Sequence, residues 1–349
     1  MPTLLLTGDI NLLNVPDPSG LFDRVAAAMN DADVVFSNLE TLLGRPKQPH
    51  SLQQEGFYAD PDIVVELLRR ANVSAVGLAN NVNYGGAAIV NSIAFLDAHG
   101  IPHSGAGANL EAARRGAVVE RDGRRYGFLQ RTSVYWPTDH AADANAAGVA
   151  PMPGHTAYEA PMYRYSPLIP PVNRPGIPPI VITWADRPHL DEFVDDIRHL
   201  RSEVDFLVAS IHWGLAGQVL TYMEEIARAA IDAGADVVVG HGPHQILPIA
   251  FYRGRPIFYG VGCFSFNTGH LGMSHGDWIG LVASIELAAQ EPRFSARLVR
   301  HTDANATYFC APDDEAATLE PLSVASAARG AELHVDGDTV TIRRRGGEA

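Results

Sequence analysis

The feature that most narrows the folds open to this chain is a repeated order of segments. A helical stretch gives way to a short apolar run, and the run ends on a polar residue able to donate a lone pair. "AAAMNDADVVFSNLE" closes on Glu40, and "LLRRANVSAVGLANN" closes on Asn80 and Asn81. "IRHLRSEVDFLVASIHWG" carries His212, and "ARAAIDAGADVVVGHGPH" carries His241 and His244. The first run, "TLLLTGDIN", has no helix before it yet ends in the same way, at Asp9 and Asn11. These runs are rich in Val, Leu and Phe and bounded by turn residues, as strands buried on both faces are. Ahead of the valines, Ile226, Ala230 and Ala233 fall on one helical face, and Gly234 stands where a helix would stop. Helix alternating with buried strand predicts a layered α/β architecture, whose ligands gather beyond the carboxyl ends of the strands. Five strand ends would bring Asp9, Asn11, Glu40, Asn81, His212, His241 and His244 to one rim.

Two regions break the pattern. Residues 136–180 hold ten of the 24 prolines, including "PLIPPVNRPGIPP", without clear periodicity. A stretch of that length is expected to be an insertion folded over the rim, with a disordered linker as the alternative. Beyond His301, "AELHVDGDTVTIRRR" predicts a β-hairpin turning at Asp336, Gly337 and Asp338, an edge element. The expected organisation is one domain over 1–300, carrying the 136–180 insertion, and a C-terminal β extension over 301–349.

Composition enters through what it excludes. With 26 Lys and Arg against 40 Asp and Glu, the net charge is −14, and the field of the whole protein repels polyanions. Nucleic acid is not an expected partner. Hydrophobic residues at 46% and charged ones at 19% describe a soluble globular chain with a sizeable core. Two cysteines, Cys263 and Cys310, do not make a disulfide framework. "MPTLLLTGD" lacks a basic start and meets an acid after an apolar run too short for a signal sequence or a span, so a cytoplasmic protein without membrane insertion is expected.

The rim residues form a donor set of oxygens and imidazole nitrogens, which suits Mn²⁺, Fe²⁺ or Zn²⁺. Burying a carboxylate and several imidazoles unpaired would be costly, which points to a cation. Two cations about 3.5–4 Å apart could share a carboxylate, supply a bound water as nucleophile and polarise a substrate oxygen. Arg131, after the apolar "YGFLQ", could grip a substrate carboxylate, and Tyr135 and Trp136 could line its pocket.

Read in chain order, "TGDIN", "VVFSNLETLLG", "VGLANN", "HSGAGANLEAARR", "ASIHWG", "AAIDAGADVVVGHGPHQILPI" and "GRPIFYGVGCFSF" make this sequence similar to the CapA family. That family is named for poly-γ-glutamate capsule biosynthesis and is related to the calcineurin-like metallophosphoesterases. The resemblance spans about residues 4–266. It implies a four-layer αββα sandwich, two sheets flanked by helices, with a dinuclear metal centre at the strand ends. By motif, Asp9 would be a first-metal ligand, Glu40 the bridging carboxylate and Asn81 a second-metal ligand, with His212, His241 and His244 completing the pair. Asn80 would stand on the substrate side.

Three departures qualify the resemblance. Many relatives read Asn-Asn-His where this chain reads "NNV", so Val82 occupies the place of the histidine that protonates the leaving group in phosphoesterases. Asn11 replaces the histidine of their Asp-x-His motif. Cys263 stands where relatives usually carry asparagine, and reads as a small buried apolar residue. Replacement acids are sought in His270, His275 and Asp277 of "NTGHLGMSHGDW", with His140, His155 and His189 as further candidates. The expected function is a metal-dependent hydrolase, with metal-bound hydroxide attacking an amide, lactam or γ-glutamyl-type bond in a small anionic substrate. A phosphoesterase using the same dinuclear centre and a non-catalytic capsule biosynthesis protein are the alternatives.

Overall fold

Two mixed sheets carry the fold in the computed structural model, which describes residues 1–13, 15, 18–44, 58–160, 168, 176–214, 217–267, 276–287 and 291–346. The first sheet runs through strands Ala331–Asp336, Thr339–Arg344, Arg293–His301, Gly280–Glu286, Thr3–Asn11, Val34–Leu39, Ala75–Gly77 and His103–Ser104. The last four are parallel neighbours, whereas Gly280–Glu286 and the strands beyond it pair antiparallel. Cys263–Phe266 adds a short parallel pairing to Thr3–Asn11. The second sheet runs through Ile246–Tyr252, Arg255–Val261, Val237–His241, Phe206–His212, Arg124–Thr132 and Ala117–Arg121. Its four central strands are parallel and its two edges antiparallel.

Strand parity decides which core each residue joins, because successive side chains leave a strand on opposite faces. Leu4, Leu6, Val34 and Phe36 of the first sheet meet Phe128, Val208, Val237, Val239 and Phe258 of the second in one buried cluster. At its centre the rings of Phe36 and Phe128 stack 4.7 Å apart. The intervening Leu5, Val35 and Leu39 instead pack with Val25, Leu68 and Ile89, from helices Asp23–Asn30, Pro61–Arg70 and Gly86–Ala98. In the second sheet Leu207, Ala209 and Val238 pack with Phe193, Ile226 and Ala230, from helices Arg187–Arg201 and Thr221–Ala233. The result is a mixed α/β sandwich, the expected class. Each large side chain so buried contributes about 1.5–3 kcal/mol, so Phe36→Ala would remove both a ring stack and core volume.

Local chemistry sets the helix ends. Asp60 and Asp186 cap their helices by accepting from the backbone N–H of Asp62 and His189, each followed by a proline in the first turn. Gly234, with φ of 120°, ends the helix that precedes the valine strand.

The C-terminal hairpin forms as expected, with Gly337 in the left-handed region, and its second strand pairs with Arg293–His301 at the edge of the first sheet. Helix Ala316–Ala327 was not expected. It carries Pro321 inside, a residue that reads as a helix breaker, and is held by Leu319 and Leu322 against Leu298 and Val340. Within 136–180, strand Gly154–Glu159 pairs antiparallel with Ile180–Ala185, while 161–167 and 169–175 lie outside the described residues. The start of this segment lies on the rim: Trp136 Nε1 donates to the Asn81 carbonyl at 2.9 Å. Among the described residues no helix is long and apolar enough to cross a membrane.

Candidate metal centre

Asp9 is fully buried near the end of its strand, and Cys263 is its register partner across a parallel pairing. Gly8 makes that approach possible, since a Cβ at this position would lie 2.2 Å from the Gly262 carbonyl oxygen. His212 and His241 are register partners in the second sheet, with Thr132 on the other side of His212. Glu40 follows directly after Val34–Leu39. The parallel strands thus deliver these side chains to one place, from both sheets.

Asp9 is the hub. Its Oδ1 accepts from Asn38 Nδ2 at 2.7 Å and lies 3.3 Å from His241 Nδ1, while its Oδ2 lies 2.9 Å from His244 Nδ1. Burial alone would push the carboxyl up, but the neighbouring imidazoles of His241 and His244 outweigh it and hold Asp9 well below the usual carboxylate range. Glu40, with Oε1 3.8 Å from His244 Nε2, has less compensation, and burial pushes it up to about 8. His212 Nε2 meets Asn81 Oδ1 at 2.8 Å, and burial pushes its pKa down to about 3, which keeps the imidazole neutral. His244 is opposed by burial yet held well above the ordinary histidine value, mainly by Glu40 and Asp9. Its backbone sits in the left-handed region at φ of 54°, a conformation that costs a non-glycine residue of order 1–3 kcal/mol.

Several donors remain unsatisfied. Among the described residues Glu40 Oε2 and both ring nitrogens of His241 make no hydrogen bond, although both side chains are within 1% of complete burial. Each such group costs about 1–3 kcal/mol, more when charged. Two sets of donor atoms, Asp9 with Glu40 and His212, and Asp9 with His244 and Cys263, lie within 4.8 Å of one another. Ligands about 2.0–2.3 Å from a shared ion span nearly that distance, so the sets fit divalent cations. The carboxylate common to both is Asp9, whereas the family resemblance gave the bridging place to Glu40.

The remaining expected site residues divide. Asn81 reaches His212, and Trp136 touches Asn81; Tyr135 is partly buried against the first-sheet core. Asn11 instead closes a local turn, its Oδ1 accepting from Leu13 N at 3.0 Å. Asn80 is a loop pin rather than a substrate contact: its Oδ1 accepts from Val82 N and Asn83 N, and its Nδ2 donates to Asn38 Oδ1 and the Leu39 carbonyl. Arg131 is a correction as well. It faces the helix side of its strand, donates to the Gln130 and Arg114 carbonyls, pairs with Asp196 and lies over the Phe193 ring. Burial lowers its pKa to about 10, and its guanidinium is held by these partners on the helix side.

No described replacement acid stands ready. Val82 is buried within the apolar core. His140 bridges Trp136 N and the Asn80 carbonyl, with its pKa pushed down to about 4 by burial. His155 and His189 both bind Asp186, at 2.8 and 2.6 Å, and Asp277 pairs with Arg300. His270 and His275 lie outside the described residues.

Two positioning residues escaped the sequence reading. Asn38 Oδ1 accepts from Asn80 and from Gln130 Nε2 at 3.0 Å, which leaves its Nδ2 to donate to Asp9. Gln130 Oε1 in turn accepts from Ala79 N at 2.7 Å, and Gly77 leaves it room, since a Cβ there would come within 2.3 Å of the Gln130 amide. The signal was parity: Asn38 and Gln130 stand two residues beyond the stacked Phe36 and Phe128, on the same inward faces.

The family model described as bacterial capsule synthesis protein PGA_cap matches residues 3–268. Over 253 residues the chain is 31% identical to a probable polyglutamine synthesis accessory protein of Mycobacterium tuberculosis, covering 69% of this chain and 57% of the relative. It is 25% identical over 253 residues to the PGA biosynthesis protein CapA of Bacillus subtilis, covering 71% and 57%. It is 23% identical over 280 residues to the capsule biosynthesis protein CapA of Bacillus anthracis, covering 76% and 60%. The chain thus spans less than two thirds of the length of these curated relatives. The family match encloses every donor of both sets, from Asp9 to Cys263. On that match the chain belongs to the bacterial capsule synthesis protein family, the CapA family.

Proposed function

We propose that this protein is a metal-dependent hydrolase opening an amide, lactam or γ-glutamyl-type bond in a small anionic substrate. The observation that carries the reading is the incomplete hydrogen bonding beside Asp9, where buried Glu40 Oε2 and the His241 ring nitrogens make no hydrogen bond among the described residues. Asp9, Glu40, His212, His241 and His244 would hold the cations, with Asn38 fixing the angle of the Asp9 carboxylate. Cations there would acidify a water molecule and polarise a substrate oxygen. His212, kept neutral by burial, presents a lone pair without first losing a proton. Trp136 and Asn81 border the rim and would bound the substrate's approach. The relatives' names, polyglutamine synthesis accessory protein and capsule biosynthesis protein, favour a γ-glutamyl-type bond. The apolar Val82 disfavours phosphate esters, because it withholds the general acid typically worth about 10²–10⁴-fold with poor leaving groups.

The test begins with the full chain stripped by chelator and reconstituted with Mn²⁺, Zn²⁺ or Fe²⁺. Each form is then assayed on γ-glutamyl amides, cyclic imides, and phosphate mono- and diesters. Stoichiometric metal and turnover of a γ-glutamyl or cyclic substrate are expected, with both lost in His244→Ala and Glu40→Gln while circular dichroism is unchanged. Turnover of phosphate esters alone would replace the bond assignment, and full activity in both variants would overturn the site.

A further inference from the structure

We propose that Cys263 is a thiolate ligand to the same cation as Asp9 and His244, making that half of the centre thiophilic and selective for Zn²⁺ over Mn²⁺. The inference rests on the metal-centre reading above and deepens it. Sequence alone made Cys263 a packing residue, and one face of it does border the apolar core beneath the first sheet. Its register with Asp9, enforced by the glycine contact between Gly8 and Gly262, turns the two side chains the same way. Its Sγ and donor atoms of Asp9 and His244 lie within 4.8 Å of one another. A second, independent observation lies beside the same carboxylate. His241, fully buried and 3.3 Å from Asp9, makes no hydrogen bond through either ring nitrogen among the described residues.

Carboxylate and imidazole alone accept Mn²⁺, Fe²⁺ or Zn²⁺ with little preference of kind. A thiolate shifts that balance toward Zn²⁺ and away from harder ions. On binding, the Sγ–H bond is exchanged for an Sγ–metal bond and the proton leaves to solvent; no electrons are transferred and no further reactant is required.

Cobalt(II) reports the ligand directly. The full chain loaded with Co²⁺ is expected to show a near-ultraviolet thiolate-to-cobalt charge-transfer absorption, present in Cys310→Ser and absent in Cys263→Ser and Cys263→Ala. Both Cys263 variants should still bind Co²⁺, and their preference for Zn²⁺ over Mn²⁺ in competition titration should fall by about tenfold or more. The wild-type spectrum tests the idea without relying on any variant to fold. Stoichiometric Co²⁺ with no charge-transfer band, or a band that survives Cys263→Ala, overturns the thiolate ligand and leaves the metal centre standing. Failure of the wild-type chain to bind Co²⁺, Zn²⁺ or Mn²⁺ at all overturns the centre itself.

Discussion

Two neighbouring places in this protein bury ionisable groups, and they are finished differently. Arg131 is 2% exposed and Asp9 is not exposed at all. The Arg131 charge is nonetheless met from within, by Asp196 and by the Gln130 and Arg114 carbonyls, with Arg114 pairing to the same Asp196. Around Asp9, two carboxylates and three imidazoles crowd together and still leave Glu40 Oε2 and both His241 nitrogens without a hydrogen bond among the described residues. Buried polar groups in folded proteins are nearly always satisfied, so a cluster that closes its own bonds is a building element. One that stops short is shaped around something else.

This contrast can be broken by experiment. The largest effect is expected at the closed cluster. Asp196→Ala strands the buried Arg131 and should cost about 3–5 kcal/mol in urea unfolding while leaving metal stoichiometry untouched. Loss of metal without loss of stability would erase the distinction.

At the open cluster the second effect is a pH dependence. Glu40 is raised from 4.5 to about 8, so the metal-free folded state binds its proton more tightly than the unfolded state does. That contribution is fully present below about pH 4.5 and is lost as pH rises through about 8. His244, also raised, acts with the same sign above its ordinary value. Thermal melts of metal-free protein between pH 4.5 and 8 should therefore show stability falling more steeply in wild type than in Glu40→Gln. Parallel curves would contradict the buried, poorly compensated carboxyl. The smallest effect sharpens the picture. Asn38→Ala frees the Asp9 carboxylate to rotate and should weaken metal affinity about 10–100-fold by calorimetry. An unchanged affinity would reduce Asn38 to packing.

Much of this was legible because buried strands announce themselves. Asp9, Glu40, His212 and His241 each close an apolar run, and a parallel sheet gathers such ends whatever their separation in sequence. Errors arose where position along a strand was read without its face. Arg131 follows an apolar run as Asp9 and His212 do, but one step of parity turns it to the helices, while Gln130 faces inward. Asn80 and Asn11 looked like open donors because nothing in the chain shows that Val82, Asn83 and Leu13 need acceptors for their N–H groups. Helix Ala316–Ala327 was hidden by Pro321, since tertiary contacts through Leu319 and Leu322 override a local breaker. The nearness of Cys263 to Asp9 depends on a glycine-to-glycine approach that spans more than two hundred residues.

The donors come from opposite halves of the sandwich, Asp9, Glu40 and Cys263 from one and His212 and His241 from the other. Elsewhere the halves meet through packed apolar side chains such as Phe36 and Phe128 and through the Gln130–Asn38 hydrogen bond. A cation seated between them would tie one half to the other. Loading it would stabilise both halves together, because the ion binds only where they meet.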